Sequence, residues 1–412
     1  MSSPATPSPF RLREFGAAYL LGAGHGASHW ITGTFFLLLP KIREEFGFSY
    51  AAISLIGTVY YAGSLATNLV SGPVVDISGR RIVFQVIALF LVGLAMVGLG
   101  FTGNIALIAV MALLIASANN LWHPAAMSFL SSEYPANRAF VLSIHGVGSN
   151  VGEAVGPLAA GFMLSTLAFG WQKTAIASAI PALTMAVVTL LVLLPKDRPI
   201  GAGAARRGVD ARTYMRGMWM LLRERAMLGL TIMAGFRSMA QSGLKFFLPF
   251  YIVDVLNLPY VYAGFAMTAL LLGGMIAAPI AGMYSDRVGR RAVIMVSLCV
   301  SSVIIVLLTA IGDGKTFVFG IALLGFTMLA IRPVIQGWLM DIVPHSLAGS
   351  AISVMFSVQS VKSAITPALG GLVAEIYGLT AVFYMLAGIL LLANLVVFIL
   401  PRHAAEPTGT AP

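Results

Sequence analysis

The chain has few charges and almost no cysteine for its length. Only 10% of its 412 residues are charged, whereas 58% are hydrophobic. A soluble globular domain carries roughly 25% charged residues, so a chain this apolar cannot cover itself with polar surface in water. Its single cysteine, Cys299, excludes an internal disulfide and a cysteine-based metal cage. The composition instead indicates helices whose solvent is lipid, because a helix satisfies its own backbone hydrogen bonds there.

Sequence motifs of enzymes are also missing. His25 and His29 lack the intervening glutamate of the zinc-protease motif H-E-x-x-H, and no Walker A sequence occurs. We therefore expect no catalytic residue, no cofactor and no metal site. The net charge of +10 lies mostly in loops on one side of the predicted membrane, which is a topology signal and argues against nucleic acid as a partner.

Twelve apolar segments are each long enough to cross a hydrocarbon core of about 30 Å as a helix. Their predicted bounds are residues 15–40, 50–77, 81–101, 104–132, 137–169, 171–194, 226–255, 260–286, 291–312, 315–343, 347–377 and 379–401. The sequence thus predicts an all-α polytopic membrane protein with two six-helix bundles. Its predicted parts are a tail at 1–14, bundles at 15–194 and 226–401, a basic linker at 195–225 and a tail at 402–412.

Lys and Arg are distributed unequally between the two sets of loops. With the N-terminus inside, the inner segments hold seventeen of them and the outer loops hold four. The positive-inside rule then predicts that the linker and both termini are cytoplasmic, in a protein of the cytoplasmic membrane. Residues 1–13 lack the apolar core of a cleaved signal peptide, so we expect the first span to stay in the mature protein.

The two halves of the sequence repeat one another. The segment from Gly72 to Arg81 reads GPVVDISGRR, and the segment from Gly282 to Arg291 reads GMYSDRVGRR at an offset of 210. Parallel six-helix repeats are a transporter architecture. The repeated positions, with one extra arginine in the second copy, are Gly72, Asp76, Gly79, Arg80, Arg81, Gly282, Asp286, Arg287, Gly289, Arg290 and Arg291.

With this motif the chain resembles the major facilitator superfamily, whose loop signature is G-x-x-x-D-[RK]-x-G-[RK]-[RK]. The first copy departs from the signature at Ile77. The resemblance implies two pseudo-symmetric bundles, with spans 1, 4, 7 and 10 around a cavity and spans 3, 6, 9 and 12 outside. It also implies alternating access, with the loop motifs holding the outward-facing state. The alternative is that the motifs only anchor the topology.

Two further features refine the resemblance. His123-Pro124 and the run from Gly146 to Pro157 are similar to the fosmidomycin-resistance-like efflux group. A helix-bend motif in span 5 resembles one that is common in proton-coupled antiporters, although other transporters also bend at such a site. Its small residues allow close helix approach, and its prolines allow a bend. The motif comprises Gly152, Gly156, Pro157 and Gly161, with Pro367 as the repeat of Pro157 at an offset of 210.

Ionisable side chains within the spans are few and unequally divided. Away from the span ends, Glu153 is the only acid, and spans 3, 6, 9 and 12 contain no ionisable residue in their interiors. Charges at this depth are costly and face the protein interior. The cations are Arg237, Lys245, Arg332 and Lys362, and the histidines are His25, His29, His123 and His145.

Four cations against one carboxylate predict an anionic solute, for which arginine offers a bidentate fork. The alternative for Lys245 and Arg332 is that their charged ends reach towards an interface. The predicted substrate-binding residues are Arg237, Gln241, Lys245, Arg332, Gln336, Lys362, Asn119, His123 and Trp30.

Proton coupling requires side chains that can change protonation state in the protein interior. Glu153, His25, His29 and His145 are the predicted carriers, all in the N-terminal half. For each histidine, simple packing between helices is the alternative.

The sequence thus predicts a monomeric, proton-coupled transporter that exports a small organic anion. An uptake symporter for a carboxylate nutrient remains open as a second transport function. A transporter-like receptor or sensor is a third possibility, which the short linker and tail disfavour.

Overall fold

A computed structural model of the chain describes residues 14–197, 224–343 and 348–400. These ranges are almost entirely helical and contain no strand. The predicted tails and linker lie wholly or mostly outside them. The helices are α1 (Gly16–Phe46), α2 (Tyr50–Ser78), α3 (Arg81–Gly100), α4 (Ile105–Glu133), α5 (Arg138–Ser165), α6 (Trp171–Val192), α7 (Arg225–Phe250), α8 (Tyr260–Val288), α9 (Arg290–Leu308), α10 (Gly314–Ile342), α11 (Ala348–Tyr377) and α12 (Leu379–Ile399).

These twelve helices correspond one to one with the predicted spans. Two of them are interrupted: α6 consists of Trp171–Ser178 and Ile180–Val192, and α10 consists of Gly314–Met328 and Ile331–Ile342. Helix α1 continues past its predicted end through Pro40 and stops at Gly47, whose φ of 65° is a left-handed C-cap conformation.

Eight of the helices are long and apolar enough to cross a membrane by length and composition alone. The eight do not include α1, α5, α7 and α11. Those four helices carry most of the ionisable residues singled out above, among them Glu153, Lys245 and Lys362. These four helices are less apolar than the other eight because they place polar groups in the interior of the bundle.

Both halves pack by the same scheme. Helix α1 lies against α5 and α7 against α11, while α2 lies against α4 and α8 against α10. Between the halves, α2 packs on α11 and α5 packs on α8, two contacts that exchange under the repeat. The main contacts of α3, α6, α9 and α12 are with helices of their own half, which places these helices outside, as the sequence predicts.

The two ends of the bundle differ. At the end where α1 stops, the halves are joined: Arg43 pairs with Asp254 at 3.0 Å, and the Tyr50 hydroxyl donates to the same carboxylate at 2.9 Å. At the other end, Ile77 is 84% exposed, and a Cβ added to Gly72 or Gly282 would meet no atom of the described residues within 4 Å. Within the described ranges, the structure is therefore closed at the first end and open at the end that carries the loop motifs.

The loop motifs make their hydrogen bonds and ion pairs, among the described residues, within their own halves. In the second copy, Arg290 pairs with Asp286 at 2.7 Å and with Asp341 at 3.0 Å. In the first copy, Arg81 donates to the hydroxyl of Ser132. Asp341 and Ser132 are related by an offset of 209, so the loop-motif arginine contacts a carboxylate in one half and a hydroxyl at the equivalent position in the other.

Candidate functional site

A cavity of about 400 Å³ lies between the two halves, and we call it the central cavity. Helices α1, α2, α4, α5, α7, α8 and α10 contribute to its wall, so the predicted lining by spans 1, 4, 7 and 10 is extended by three more helices. Its lining residues are His29, Thr32, Phe36, Tyr60, Tyr61, Ser64, Asn119, Asn120, His123, Asn150, Glu153, Arg237, Gln241, Lys245, Leu271, Gly274, Met275, Ala278, Leu329, Arg332 and Pro333.

Six of the nine predicted substrate-binding residues line this cavity, and three do not. Lys362 lies elsewhere, with its amine 3.5 Å from the centroid of the Phe236 ring. Gln336 lines a separate small cavity that it shares with Arg237 and Arg332. Trp30 lines a large apolar groove on the outer side of α1, α5 and α6. The six that line the central cavity are Asn119, His123, Arg237, Gln241, Lys245 and Arg332.

An ion pair joins the two halves inside the cavity. The Glu153 carboxylate on α5 pairs with the Lys245 amine on α7. Its second oxygen lies 3.4 Å from Nδ1 of His29 on α1. The side chains of Glu153 and Lys245 are only 13% and 21% exposed, so the pair is largely screened from water. The acid of one repeat is thus directly coupled to a cation of the other.

Arg237 is held by a break in α10. Met328 is the last residue of the first segment of α10, so its carbonyl lacks a partner within the helix. Pro333 has no N–H, and the N–H of Arg332 donates to Leu329 instead. The Arg237 guanidinium donates to the Met328 carbonyl from Nε at 3.4 Å and from Nη2 at 3.3 Å. Arg237, which is 3% exposed, therefore has a structural partner as well as a place in the cavity wall.

The cavity wall carries more positive than negative charge. Among its lining residues, Arg237, Lys245 and Arg332 are cationic and Glu153 is the only carboxylate. Glu153 neutralises Lys245, which leaves the two guanidinium groups without a carboxylate in the wall. Uncompensated cations in a cavity within the membrane favour an anionic ligand.

In the facing wall, the predicted Asn119 is accompanied by polar residues that the sequence analysis did not select, namely Thr32, Ser64 and Asn120. Asn119 accepts from Ser28 at 3.1 Å and donates to the Thr32 hydroxyl at 3.1 Å. Asn120 donates to Ser64 at 2.7 Å. Thr32 lies three residues after His29, so helical spacing from the selected histidine could have identified it.

The histidines divide into two pairs. His29 and His123 line the central cavity, whereas His25 and His145 are buried behind it, 3% and 5% exposed. The rings of His25 and His145 stack with their centroids 3.8 Å apart. Of the four predicted proton carriers, Glu153 and His29 therefore face the cavity.

The helix-bend motif brings α5 into backbone contact with two helices. A Cβ at Gly152 would lie 1.8 Å from the Gly26 carbonyl oxygen on α1, and one at Gly156 would lie 2.4 Å from that of Trp30. At Gly161 it would lie 2.7 Å from the carbonyl oxygen of Tyr260 on α8. These glycines allow an approach that no side chain would permit, while α5 continues through Pro157.

The sequence matches the family model of the Major Facilitator Superfamily over residues 21–272 and 230–412. It is 26% identical over 404 residues to the multidrug efflux pump Tap of Mycolicibacterium fortuitum, covering 94% of each chain. It is 22% identical over 376 residues to the multidrug resistance protein MdtG of Escherichia fergusonii, covering 88% of this chain and 90% of that one. The closer similarity to the fosmidomycin-resistance-like group stays a prediction.

Solved structures share the fold. An inward-facing, occupied bacterial homologue of the human lysosomal transporter Spinster superposes with a TM-score of 0.77 at 14% identity, covering 96% of this chain and 97% of that one. The nucleoside transporter NupG superposes with a TM-score of 0.77 at 12% identity, covering 94% and 99%. Similarity at this level concerns the fold alone.

Proposed function

The chain belongs to the major facilitator superfamily, and from that premise we propose that it carries a small organic anion whose binding is coupled to protonation of Glu153. It is an integral, multi-pass membrane transporter of a small solute and not an enzyme. The observation that carries the proposal is the Glu153–Lys245 pair, which spans the two halves inside a cavity with two further cations.

The charge of the cavity supports an anion. Arg237 and Arg332 have no carboxylate partner in the wall, and arginine presents two parallel N–H donors to a carboxylate, phosphate or phosphonate. The facing wall offers neutral groups, Asn119 and His123, that can hydrogen-bond the rest of a polar solute.

The pairing of Glu153 with Lys245 sets the sign of the coupling. While Glu153 is ionised, it occupies Lys245 and competes with an anion for that cation. Protonation of Glu153 removes the competitor and releases Lys245, so proton and anion favour one another's binding. The sequence analysis combined an anion with exchange against protons. The geometry supports the other transport alternative, in which both move together.

The orientation follows from the Lys and Arg distribution. With both termini in the cytoplasm, the closed end faces outwards and the open end faces the cytoplasm. In this orientation we assign to the loop motifs of Asp76 and Asp286 the joining of the halves at the cytoplasmic end in the alternate state. The transporter acts as a monomer in this proposal.

A second function is favoured by the relatives. Tap is named a multidrug efflux pump and MdtG a multidrug resistance protein. In an exporter of a cationic drug, the drug would displace Lys245 and compete with the proton for Glu153. Acidification would then weaken substrate binding, which is opposite to the anion proposal.

Purified protein in liposomes separates the two functions. A panel of radiolabelled organic acids and a cationic dye are tested for binding and flux over a range of pH. We expect anion binding to tighten as the pH falls, and Glu153→Gln to bind the anion at neutral pH as tightly as the acidified unmodified protein does. Lys245→Met should lose most of the anion affinity in either condition.

Glu133→Gln is the matched control, because Glu133 is an exposed carboxylate at the end of α4, outside the central cavity. It should keep the pH dependence of the unmodified protein. Flux of the dye but of no organic acid would overturn the anion proposal, and unchanged pH dependence in Glu153→Gln would remove Glu153 from coupling.

A further inference from the structure

Three histidines from three different helices meet at the wall of the central cavity, one lining it and two behind it. His25 on α1, His123 on α4 and His145 on α5 each offer a ring nitrogen, and these nitrogens lie within 4.8 Å of one another. The His25 ring packs edge-on against His123, with centroids 4.9 Å apart. No metal-binding spacing connects residues 25, 123 and 145, so the sequence alone predicts no metal site here.

The orientation of His25 leaves one nitrogen available. Its Nδ1 lies 2.8 Å from the carbonyl oxygen of His145, which can only accept a hydrogen bond. Nδ1 therefore carries the proton, and the lone pair of a neutral ring lies on Nε2. That Nε2 is buried and has no hydrogen-bond partner in the part of the chain that the structure describes. A carbonyl that fixes the far nitrogen of an imidazole is the usual support of a metal-binding histidine.

We propose that His25, His123 and His145 bind a late first-row transition-metal ion such as Zn²⁺. Imidazole nitrogens suit these ions, whereas Mg²⁺ and Ca²⁺ require oxygen ligands. Tetrahedral zinc with Zn–N bonds of 2.0–2.1 Å holds its nitrogens about 3.4 Å apart. The ring nitrogens must therefore approach by no more than about 1.4 Å. The stacked rings of His25 and His145 must also turn on binding, because the lone pair of each ring has to point at the ion.

Two neighbouring groups shape this site. The indole N–H of Trp122 donates to Nε2 of His145 at 3.0 Å, so a metal bond through that atom replaces this hydrogen bond. His123 lines the central cavity, which gives an ion a route to the site and leaves a fourth position facing the solute. The three ligands are neutral, so an anion in the fourth position would offset the charge of the ion.

Metal titration of the full chain in detergent tests the proposal. The protein carries no polyhistidine tag, and a chelator removes any bound metal before the titration. His345 and His403, which lie outside the described residues, are replaced by His345→Gln and His403→Gln so that they cannot bind the ion. Zn²⁺ binding is followed by calorimetry and Co²⁺ binding by its visible absorption. We expect one ion per chain, and at least about tenfold weaker binding in His25→Ala and in His123→Ala.

Two further variants distinguish loss of a metal ligand from misfolding, because neither is expected to weaken metal binding. His29→Gln removes a histidine one turn from His25 and should keep the metal affinity of the unmodified protein. Trp122→Phe frees Nε2 of His145 and should bind the ion more tightly, which a purely structural role of the cluster does not predict. Absence of saturable binding at one ion per chain would overturn the site, as would equal loss in His29→Gln. Neither result affects the pH test of Glu153.

Discussion

In the N-terminal half, α1 and α5 meet backbone to backbone, whereas in the C-terminal half the equivalent helices α7 and α11 meet through side chains. A Cβ at Gly148 or Gly152 would lie 2.0 or 1.8 Å from a carbonyl oxygen of α1. At Gly235 on α7 it would meet the flexible side chain of Lys362 at 2.6 Å. The two halves share one packing scheme, but the α1–α5 contact tolerates a larger side chain less well than the α7–α11 contact does.

Helices α4 and α10 also occupy equivalent places in the two halves and differ in structure. His123-Pro124 and Arg332-Pro333 are related by an offset of 209, yet α4 is continuous whereas α10 is broken just before its proline. In α10 the freed carbonyl of Met328 is satisfied by Arg237 from α7. A repeated proline therefore does not decide a break by itself, and in α10 a donor from a neighbouring helix stabilises the freed carbonyl.

The largest expected effect tests the backbone joint. Gly152→Ala places a methyl group 1.8 Å from the Gly26 carbonyl, so α1 and α5 must separate. We expect a destabilisation of at least about 3 kcal/mol, seen as loss of the monodisperse peak and a lower unfolding temperature.

Two glycines serve as controls for that variant. Gly235→Ala meets only the movable Lys362 chain and should cost about 1 kcal/mol or less. Gly146→Ala lies in open space on the same helix as Gly152 and should stabilise α5 by up to about 1 kcal/mol. Equal effects of Gly152→Ala and Gly235→Ala would abolish the contrast between the halves.

A middle-sized effect tests the broken helix. Arg237→Lys keeps the charge but loses the fork on the Met328 carbonyl, and should lower the stability by about 1–3 kcal/mol. Pro333→Ala restores an N–H to α10, so it should reduce the cost of Arg237→Lys when the two are combined. Thermal unfolding of the two single variants and the double variant measures this coupling. Strictly additive effects would show that Arg237 does not stabilise the break in α10.

The smallest expected effect concerns the first turns of α4 and α10. Asn104 caps α4 and Asp313 caps α10, again at an offset of 209. The amide and hydroxyl of Thr316 lower the pKa of Asp313 from its ordinary 3.8. This contribution to stability is therefore present above pH 3.8 and is lost as the pH falls through the lowered value.

Hydrogen exchange of the two first turns, corrected for the intrinsic pH dependence of exchange, measures that difference. Acidification below pH 3.8 should loosen the start of α10 relative to the start of α4. Asp313→Asn should remove the difference between the two helices, because an amide cap does not titrate. Equal loosening of both turns in the unmodified protein would contradict the assignment.

Much of the fold was predictable because lipid imposes simple rules. Apolar length predicted twelve spans, and the offset of 210 between the loop motifs predicted two halves. The breaks in α6 and α10 were not predictable, since Pro181 and Pro333 resemble the prolines that continuous helices such as α1 and α5 contain. In α10 the break coincides with a donor from another helix, which the local sequence does not reveal.

The sequence predicted many of the residues of the site, but it did not predict which of them lie next to one another. Costly charges in an apolar chain singled out Glu153, Lys245 and Arg237, and all three line the central cavity. The same rule also selected Lys362, which the structure places on the Phe236 ring instead. Helical spacing says which residues share a face, but it does not say which neighbour that face meets.

Composition and periodicity along one chain were enough to predict the membrane environment, the number of spans, the repeat and the inventory of charges within the spans. The packing of the helices settled which charges meet. It paired Glu153 with Lys245 across the halves and gathered His25, His123 and His145 from three helices. Such groupings depend on the packing of helices that are distant in sequence, and no local pattern records that packing.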